Sequence, residues 1–343
     1  MFALLLIKLM KSKHLALGIG GALGAVVAWK FLTRSSSASW EDFYDKVHHA
    51  EHSRFVEIDG ATVHFQEFGD PNHPTLLLIH GYRASTYVWR TVAPELAREG
   101  FHVIAVDLIG FGYSDKPHSF DYKIASQARI VERLMNRLGI GTATIVGSSY
   151  GGAVALTFAL DYPERVAKLV LVDAVCNDEV LSHPILKLAA LPGVGELVTP
   201  FLVDSKALQK RLMKGTFAPE NHYLITKERI DSANFPLHAK DAHHSVLTTV
   251  RNWDACRIQT DAQYINHQTL IIWGEKDTVI PIHNGEFLYN TILNSRFVVL
   301  KNCGHLPQEE KSEIFIDLVK EFTKDRKGHI APSENEEVLL EGI

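Results

Sequence analysis

The sequence predicts an α/β protein: a mostly parallel, doubly wound sheet with helices on both faces and a helical insertion before the last two strands. Three observations lead there. Short apolar runs of β type alternate with amphipathic helical stretches over most of the chain. Several runs, TLLLIHG and HVIAVDL among them, are continuously apolar and end in Gly or Asp, as strands buried on both faces do. Between about Cys176 and Trp253 the strand signal disappears and only short helical patterns remain, after which the alternation resumes.

Taken in order, FVEIDGATVHFQEFG alternates apolar and polar residues around Asp59-Gly60, the pattern of a hairpin at a sheet edge. The run TLLLIHG follows as a buried strand. VWRTVAPELAREG reads as a helix closed by glycine, and HVIAVDL as the next strand. A helix from Ser126 to Leu138, the run ATIVG, a helix from Gly151 to Leu160 and the run KLVLVDA continue the rhythm. HPILKLAALPGVGELV and SKALQKRLMKG are short helices of the insertion, and QTLIIWG and RFVVLKNCG are the last two strand candidates. The expected organisation is a core over 35–175 and 254–328, a helical cap over 176–253 and an acidic, flexible tail over 329–343. No internal repeat is visible.

The amino terminus stands apart. Leu15 to Trp29 is fifteen residues without a charge, preceded by Lys8, Lys11 and Lys13 and followed by Lys30 and Arg34. That length borders on a membrane span, so residues 1–34 are expected to be a hydrophobic anchor that leaves the following domain on the non-cytoplasmic side. A cleaved signal peptide competes, with Ser36-Ser37-Ala38 offering small residues for a cut and a secreted or periplasmic product. A buried helix is the third reading, although glycines in the run make a poor soluble helix. Residues 35–39 form a short linker.

A chain of 343 residues can bury one large core with an inserted subdomain. Its 35 basic and 40 acidic residues leave a net charge of -5, which argues against a nucleic-acid partner. Cys176, Cys256 and Cys303 are odd in number and form no CxxC pair, so neither a disulfide framework nor a zinc site is expected. His48 and His52 would share a helix face, but without a carboxylate ligand pattern they read as a solvated surface and no metal is expected. Nothing in the composition sets the oligomeric state.

The chemistry lies in TIVGSSYGGAVA. Gly147-Ser148-Ser149-Tyr150-Gly151 is G-x-S-x-G, with an apolar strand before it and a helix after it, the context in which the central serine is a nucleophile. Glycines are needed because side chains in so tight a turn would strike the neighbouring strand and helix. Ser149 is then exposed at the apex and Ser148 points elsewhere. A serine hydroxyl is a weak nucleophile until a base takes its proton, so a histidine and an acid must follow. Asp277 in WGEKDTVIP and His305 in KNCGHLPQEE supply them in the order Ser, Asp, His, each in a loop beyond a strand. Asp173, at the end of KLVLVDA, is a rival position for the acid. The oxyanion would be received by the backbone N–H groups of Tyr82 and Tyr150. His80 reads as a structural hydrogen-bonder, and Asp107 and Asp115 as residues that hold the loop DLIGFGYSD. The reaction requires no cofactor.

Together HGYRAS, DLIGFGYSDKP, GSSYGG, WGEKDTVIP and NCGH make residues 53–325 resemble the α/β-hydrolase superfamily. HGYRASTYVW and DLIGFGYSDKP are similar to the branch of haloalkane dehalogenases and epoxide hydrolases, which carry aspartate at the elbow where this chain has Ser149. The serine implies acyl transfer. The amino-terminal segment, the helical insertion and the NCGH loop are similar in arrangement to membrane-anchored monoacylglycerol lipases.

The expectation is therefore hydrolysis of a small-molecule carboxylic ester with a hydrophobic acyl group, lipid esters included, through an acyl-Ser149 intermediate. Cap leucines with Pro184, Phe201 and Phe217 either line the acyl pocket or form the cap's own core. Two alternatives stand: hydrolysis of a carbon–carbon bond in a dienoic ketone by the same triad, and a membrane-tethered interaction protein without turnover.

Overall fold

The computed structural model describes residues 40, 44–197, 199, 205–239, 241–324 and 338–341. The expected amino-terminal anchor over 1–34 lies outside the described residues, as does Phe201. Among the described residues no helix is long and apolar enough to cross a membrane.

The hairpin is β1 (Ser53–Ile58) and β2 (Ala61–Phe68). Ile58 pairs with Ala61, so the turn is the two residues Asp59 and Gly60, both at positive φ (55° and 77°) as a mirror-image hairpin turn requires. Then come β3 (Thr75–Ile79), α1 (Val92–Arg98), β4 (His102–Val106), α2 (Ile124–Arg137), β5 (Ala143–Ser148), α3 (Tyr150–Asp161) and β6 (Val166–Val172). After the insertion follow β7 (Thr269–Gly274), a helix over His283–Thr291, β8 (Ser295–Leu300) and a helix over Ser312–Lys324. The sheet order is β1-β2-β4-β3-β5-β6-β7-β8-β9, with β4 through β8 in that order parallel and the outer pairings antiparallel.

The ninth strand corrects an expectation. Val338–Glu341, inside the stretch read as a flexible acidic tail, pairs antiparallel with β8. An edge strand offers a row of unpaired backbone groups, and a short VLLE run meets them there. Four residues carry no periodicity of their own, so the pairing is invisible until β8 is known to be an edge.

The apolar strands divide by parity, which is why their sequences are continuous. Leu77, Ile79, Ile145, Leu169, Leu171 and Ile271 join the core under α2 and α3. Leu76, Leu78, Val146, Val170, Val172 and Leu270 join the opposite core under α1 and the helix Ser312–Lys324. With both faces covered, every position of β4, β5 and β7 is buried.

Between β6 and β7 the described residues form only helices and turns, including Pro184–Ala190, Lys206–Thr216, Lys227–Asn234 and Ala242–Arg251. Phe217, Ile225 and Ile230 make a small core of their own there. The helix Cys256–Asp261 follows, with Ala255, Ile258 and Ala262 packed into the main core.

One buried carboxylate joins the loops beyond β3 and β4. Asp107 is fully buried and accepts from His64 Nδ1 at 2.7 Å, Thr86 N at 2.6 Å and Tyr113 N at 2.9 Å. Burial works against its charge, yet His64 and these donors outweigh it and hold the carboxyl below its ordinary range. A Cβ on Gly112 would lie inside this carboxylate's contact distance, which keeps that position glycine. Asp115 accepts from Thr62 N at 2.7 Å and fixes the far end of the loop. Asp107→Ala would leave an imidazole and two amides unmatched, so it should cost on the order of 3 kcal/mol, read as a lower urea midpoint with an unchanged slope.

Candidate active site

The sheet order reverses between β3 and β5, and the loops that leave these two strands meet at that switch point, where a crevice opens in such sheets. The elbow follows β5. Ser149 adopts φ 56° and ψ −120°, a conformation rare for a residue with a side chain. It is held on both sides: its N–H donates to Val172 O at 2.9 Å, and its carbonyl accepts from Gly152 N at 2.9 Å and Val175 N at 3.0 Å. A Cβ at Gly147 would come within 2.3 Å of Gly151 O, and one at Gly151 within 2.3 Å of Ile79 O. The helix is pressed onto β3 and β5 so closely that only glycine fits.

Ser148 turns inward and is buried, its hydroxyl taking a 3.3 Å hydrogen bond from Gln308 Nε2. Ser149 is partly exposed and lines a cavity of about 190 Å³ together with Gly81, Tyr82 and His305. Gly81 is so near that a Cβ there would lie 3.0 Å from Ser149 Cβ. Tyr150 opens α3, so its N–H has no acceptor within the helix. The Tyr82 N–H has no acceptor among the described residues. Two free amides therefore flank the serine.

His305 follows β8 and Asp277 follows β7. His305 Nδ1 lies 2.7 Å from Asp277 Oδ2, and Asp277 Oδ1 accepts from Val279 N at 2.7 Å and Ile280 N at 3.1 Å. An ionised carboxylate can only accept, so Nδ1 carries the proton and Nε2 is left with its lone pair. The same two side chains and Asp173 come within 4.8 Å of one another through their nitrogen and oxygen atoms. Asp178, Asp254 and Cys256 form a second such group, and in the first the 2.7 Å contact leaves no gap for an ion between His305 and Asp277.

Asp173, the rival acid, stands behind Asp277 and does not hydrogen-bond the histidine. It is fully buried at φ 43° and accepts from Gly274 N at 2.9 Å. Burial, and then the charge of Asp277, lift its carboxyl well above the ordinary range. His80 is buried, with Nδ1 at 2.7 Å from Gly81 O and Nε2 accepting from Leu108 N at 3.1 Å. Burial pushes its pKa down, and the two contacts define a neutral structural tautomer. His48, His49 and His52 bind Glu228 and the carbonyls of Arg90 and Glu67 respectively.

Sequence reasoning missed Glu310. This buried carboxylate accepts from Gly304 N at 3.0 Å and Leu306 N at 3.3 Å, either side of His305, and from Ala218 N and Asn221 Nδ2, both at 2.8 Å. His305 N also donates to Thr216 O at 2.7 Å, so the histidine loop and the insertion are tied together. In the sequence Glu310 is one of two acids in the first turn of a short helix, a placement that the helix dipole alone would explain. Of the expected pocket residues, Phe217 belongs to the insertion's own core and Pro184 to a separate cavity. Val88, Leu212, Met213, Leu237 and Leu306 form the apolar wall beside Ser149.

Asp173 makes stability depend on pH in a definite direction. Its folded pKa is raised, so above about pH 4 the unfolded chain releases a proton that the folded protein keeps, and stability falls by up to about 1.4 kcal/mol per pH unit until the folded pKa is reached. Asp173→Asn keeps an acceptor for Gly274 and carries no titrating proton. Denaturant melts from pH 5 to pH 8 should show this variant gaining on the wild type as pH rises.

A family model described as alpha/beta hydrolase fold matches residues 74–312. The chain is 30% identical over 278 residues to the 2-hydroxy-6-oxo-2,4-heptadienoate hydrolase of Pseudomonas putida, covering 80% of this chain and 96% of that one. It is 31% identical over 280 residues to Lipase 3 of a Moraxella species, covering 80% and 79% respectively. Among solved structures, the meta-cleavage product hydrolase of Pseudomonas fluorescens IP01 superposes with a TM-score of 0.67 at 26% identity, over 80% of this chain and 98% of that one. Fold, elbow and sequence likeness agree, and the chain belongs to the alpha/beta hydrolase fold family as a hydrolase.

Proposed function

We propose that this hydrolase cleaves carboxylic esters through an acyl-Ser149 intermediate, with His305 as general base and Asp277 as its partner. The observation that carries the reading is the 2.7 Å His305–Asp277 hydrogen bond in a histidine that lines the same cavity as Ser149. His305 Nε2 takes the Ser149 proton as Oγ attacks the ester carbonyl. The Tyr82 and Tyr150 amides receive the developing oxyanion. The imidazolium, steadied by Asp277, then protonates the departing alkoxide, and the same base activates the water that releases the acid and restores Ser149. The apolar wall of the cavity supports a hydrophobic acyl portion.

One observation favours a second reading. The similarity to the dienoate hydrolase extends over 80% of this chain, and cleavage of a carbon–carbon bond in a dienoic ketone would use the same serine, histidine and aspartate.

Reaction with a fluorophosphonate should label the wild-type protein and Ser148→Ala, and fail with Ser149→Ala. Absence of label in folded wild-type protein would reject serine chemistry and return the non-catalytic reading. A panel of esters of rising acyl length should then show an optimum, whereas turnover of dienoic keto acids without turnover of esters would select the second reading. Asp277→Asn should lower kcat by about 10²–10⁴ with little change in labelling geometry, because the neutral amide no longer holds the tautomer.

A further inference from the structure

The cavity beside Ser149 is electrostatically one-sided. Its lining residues include two arginines, Arg83 and Arg229, and no acidic residue. Arg229 already has a carboxylate partner: its Nε and an Nη each donate to Glu309 at 2.7 Å, and Arg90 shares the same carboxylate at 2.6 Å. Two cations thus share one buried anion. Arg83 has none. Among the described residues its side chain makes no hydrogen bond or ion pair, and its Nε is shut off from solvent without an acceptor. It also sits at φ 58°, the left-handed region, in the loop that carries the Tyr82 amide. A half-buried cation without a counter-charge is unfavourable until an anion arrives.

We propose that Arg83 anchors a carboxylate carried by the substrate, so that the substrate is an anionic ester or keto acid. This rests on the assignment of the Ser149 cavity as the reaction site. The guanidinium is a planar fork that matches a carboxylate with two parallel N–H donors. Its fork has room for one carboxylate, which suits a monoanion. Leu212, Met213 and Leu237 line the same space. The fitting molecule therefore has an apolar stretch that ends in an acid group, with the scissile carbonyl at Ser149 and the acid at Arg83. An ester of a dicarboxylic acid and a dienoic keto acid share this chemistry.

The test compares 4-nitrophenyl hydrogen glutarate with 4-nitrophenyl pentanoate, which differ in the terminal carboxylate and share the leaving group. Wild-type protein should prefer the glutarate ester in kcat/KM, and added salt should erode the preference. Arg83→Gln should lower the ratio of the two roughly tenfold or more, and Arg83→Lys should restore part of it by keeping the charge. Calorimetric binding of monomethyl glutarate to Ser149→Ala should weaken by about the same factor when Arg83→Gln is added. A 2-hydroxy-6-oxo-2,4-dienoic acid, tried in parallel, distinguishes the two anionic substrate types. Absence of preference in the wild type, or a ratio and a binding constant indifferent to residue 83, overturns the anchor while leaving fluorophosphonate labelling untouched. Loss of labelling with binding still dependent on Arg83 overturns the serine chemistry and keeps the anchor.

Discussion

The close approach of α3 to β3 and β5 is the constraint on which the site depends. With Gly147 and Gly151 lacking side chains, the helix can begin one residue beyond the strand, and Ser149 is forced to φ 56° at the apex. The strain is sustained because three backbone hydrogen bonds from β6 and its following loop and from α3 hold the residue on both sides. The same closeness brings Gly81 against the serine, so the loop beyond β3 presents its amides where an oxyanion would form. Shape here comes from backbone packing, and the chemistry takes its position from the shape.

Around His305 the controlling feature is a layer of buried carboxylates with unequal tasks. Asp277 faces the ring, Asp173 stands behind it with its own carboxyl driven toward the neutral form, and Glu310 gathers the amides on either side of the histidine. Burial also pushes Glu310 upward, against the pull of its donors. These groups make the position of the imidazole a property of the core. Because Glu310 also accepts from Ala218 and Asn221, the insertion is fastened to the histidine loop.

The insertion completes the cavity with a mixed surface: apolar side chains from Lys206–Thr216 and the segment near Leu237, and the paired guanidinium of Arg229. Arg229 also packs over the rings of Tyr87 and Phe217, at 5.1 and 6.0 Å, so its charge is spread among an ion pair and two aromatic faces. Arg83 receives none of this. Of the two arginines lining one cavity, Arg229 shares a carboxylate with Arg90 and Arg83 has none among the described residues, and this contrast gives the pocket its polarity.

The sequence alone determined the sheet, the elbow and the order of serine, aspartate and histidine, because each of these is written in local patterns. Strands buried on both faces must be continuously apolar, and a tight strand-to-helix turn must have glycine where the backbones touch. A hairpin at Asp59-Gly60 needs residues tolerant of positive φ. The tertiary structure decided the rest. Only in space does Asp277 and not Asp173 meet His305, since both acids leave neighbouring strands and local sequence cannot rank their distances to a ring far along the chain from either. Only in space does VLLE find the open edge of β8, and only there do Arg229 and Glu309, eighty residues apart, pair while Arg83 has no ion-pair partner among the described residues. Pairing of charges and closure of a sheet edge depend on which distant segments become neighbours, and no local periodicity encodes that.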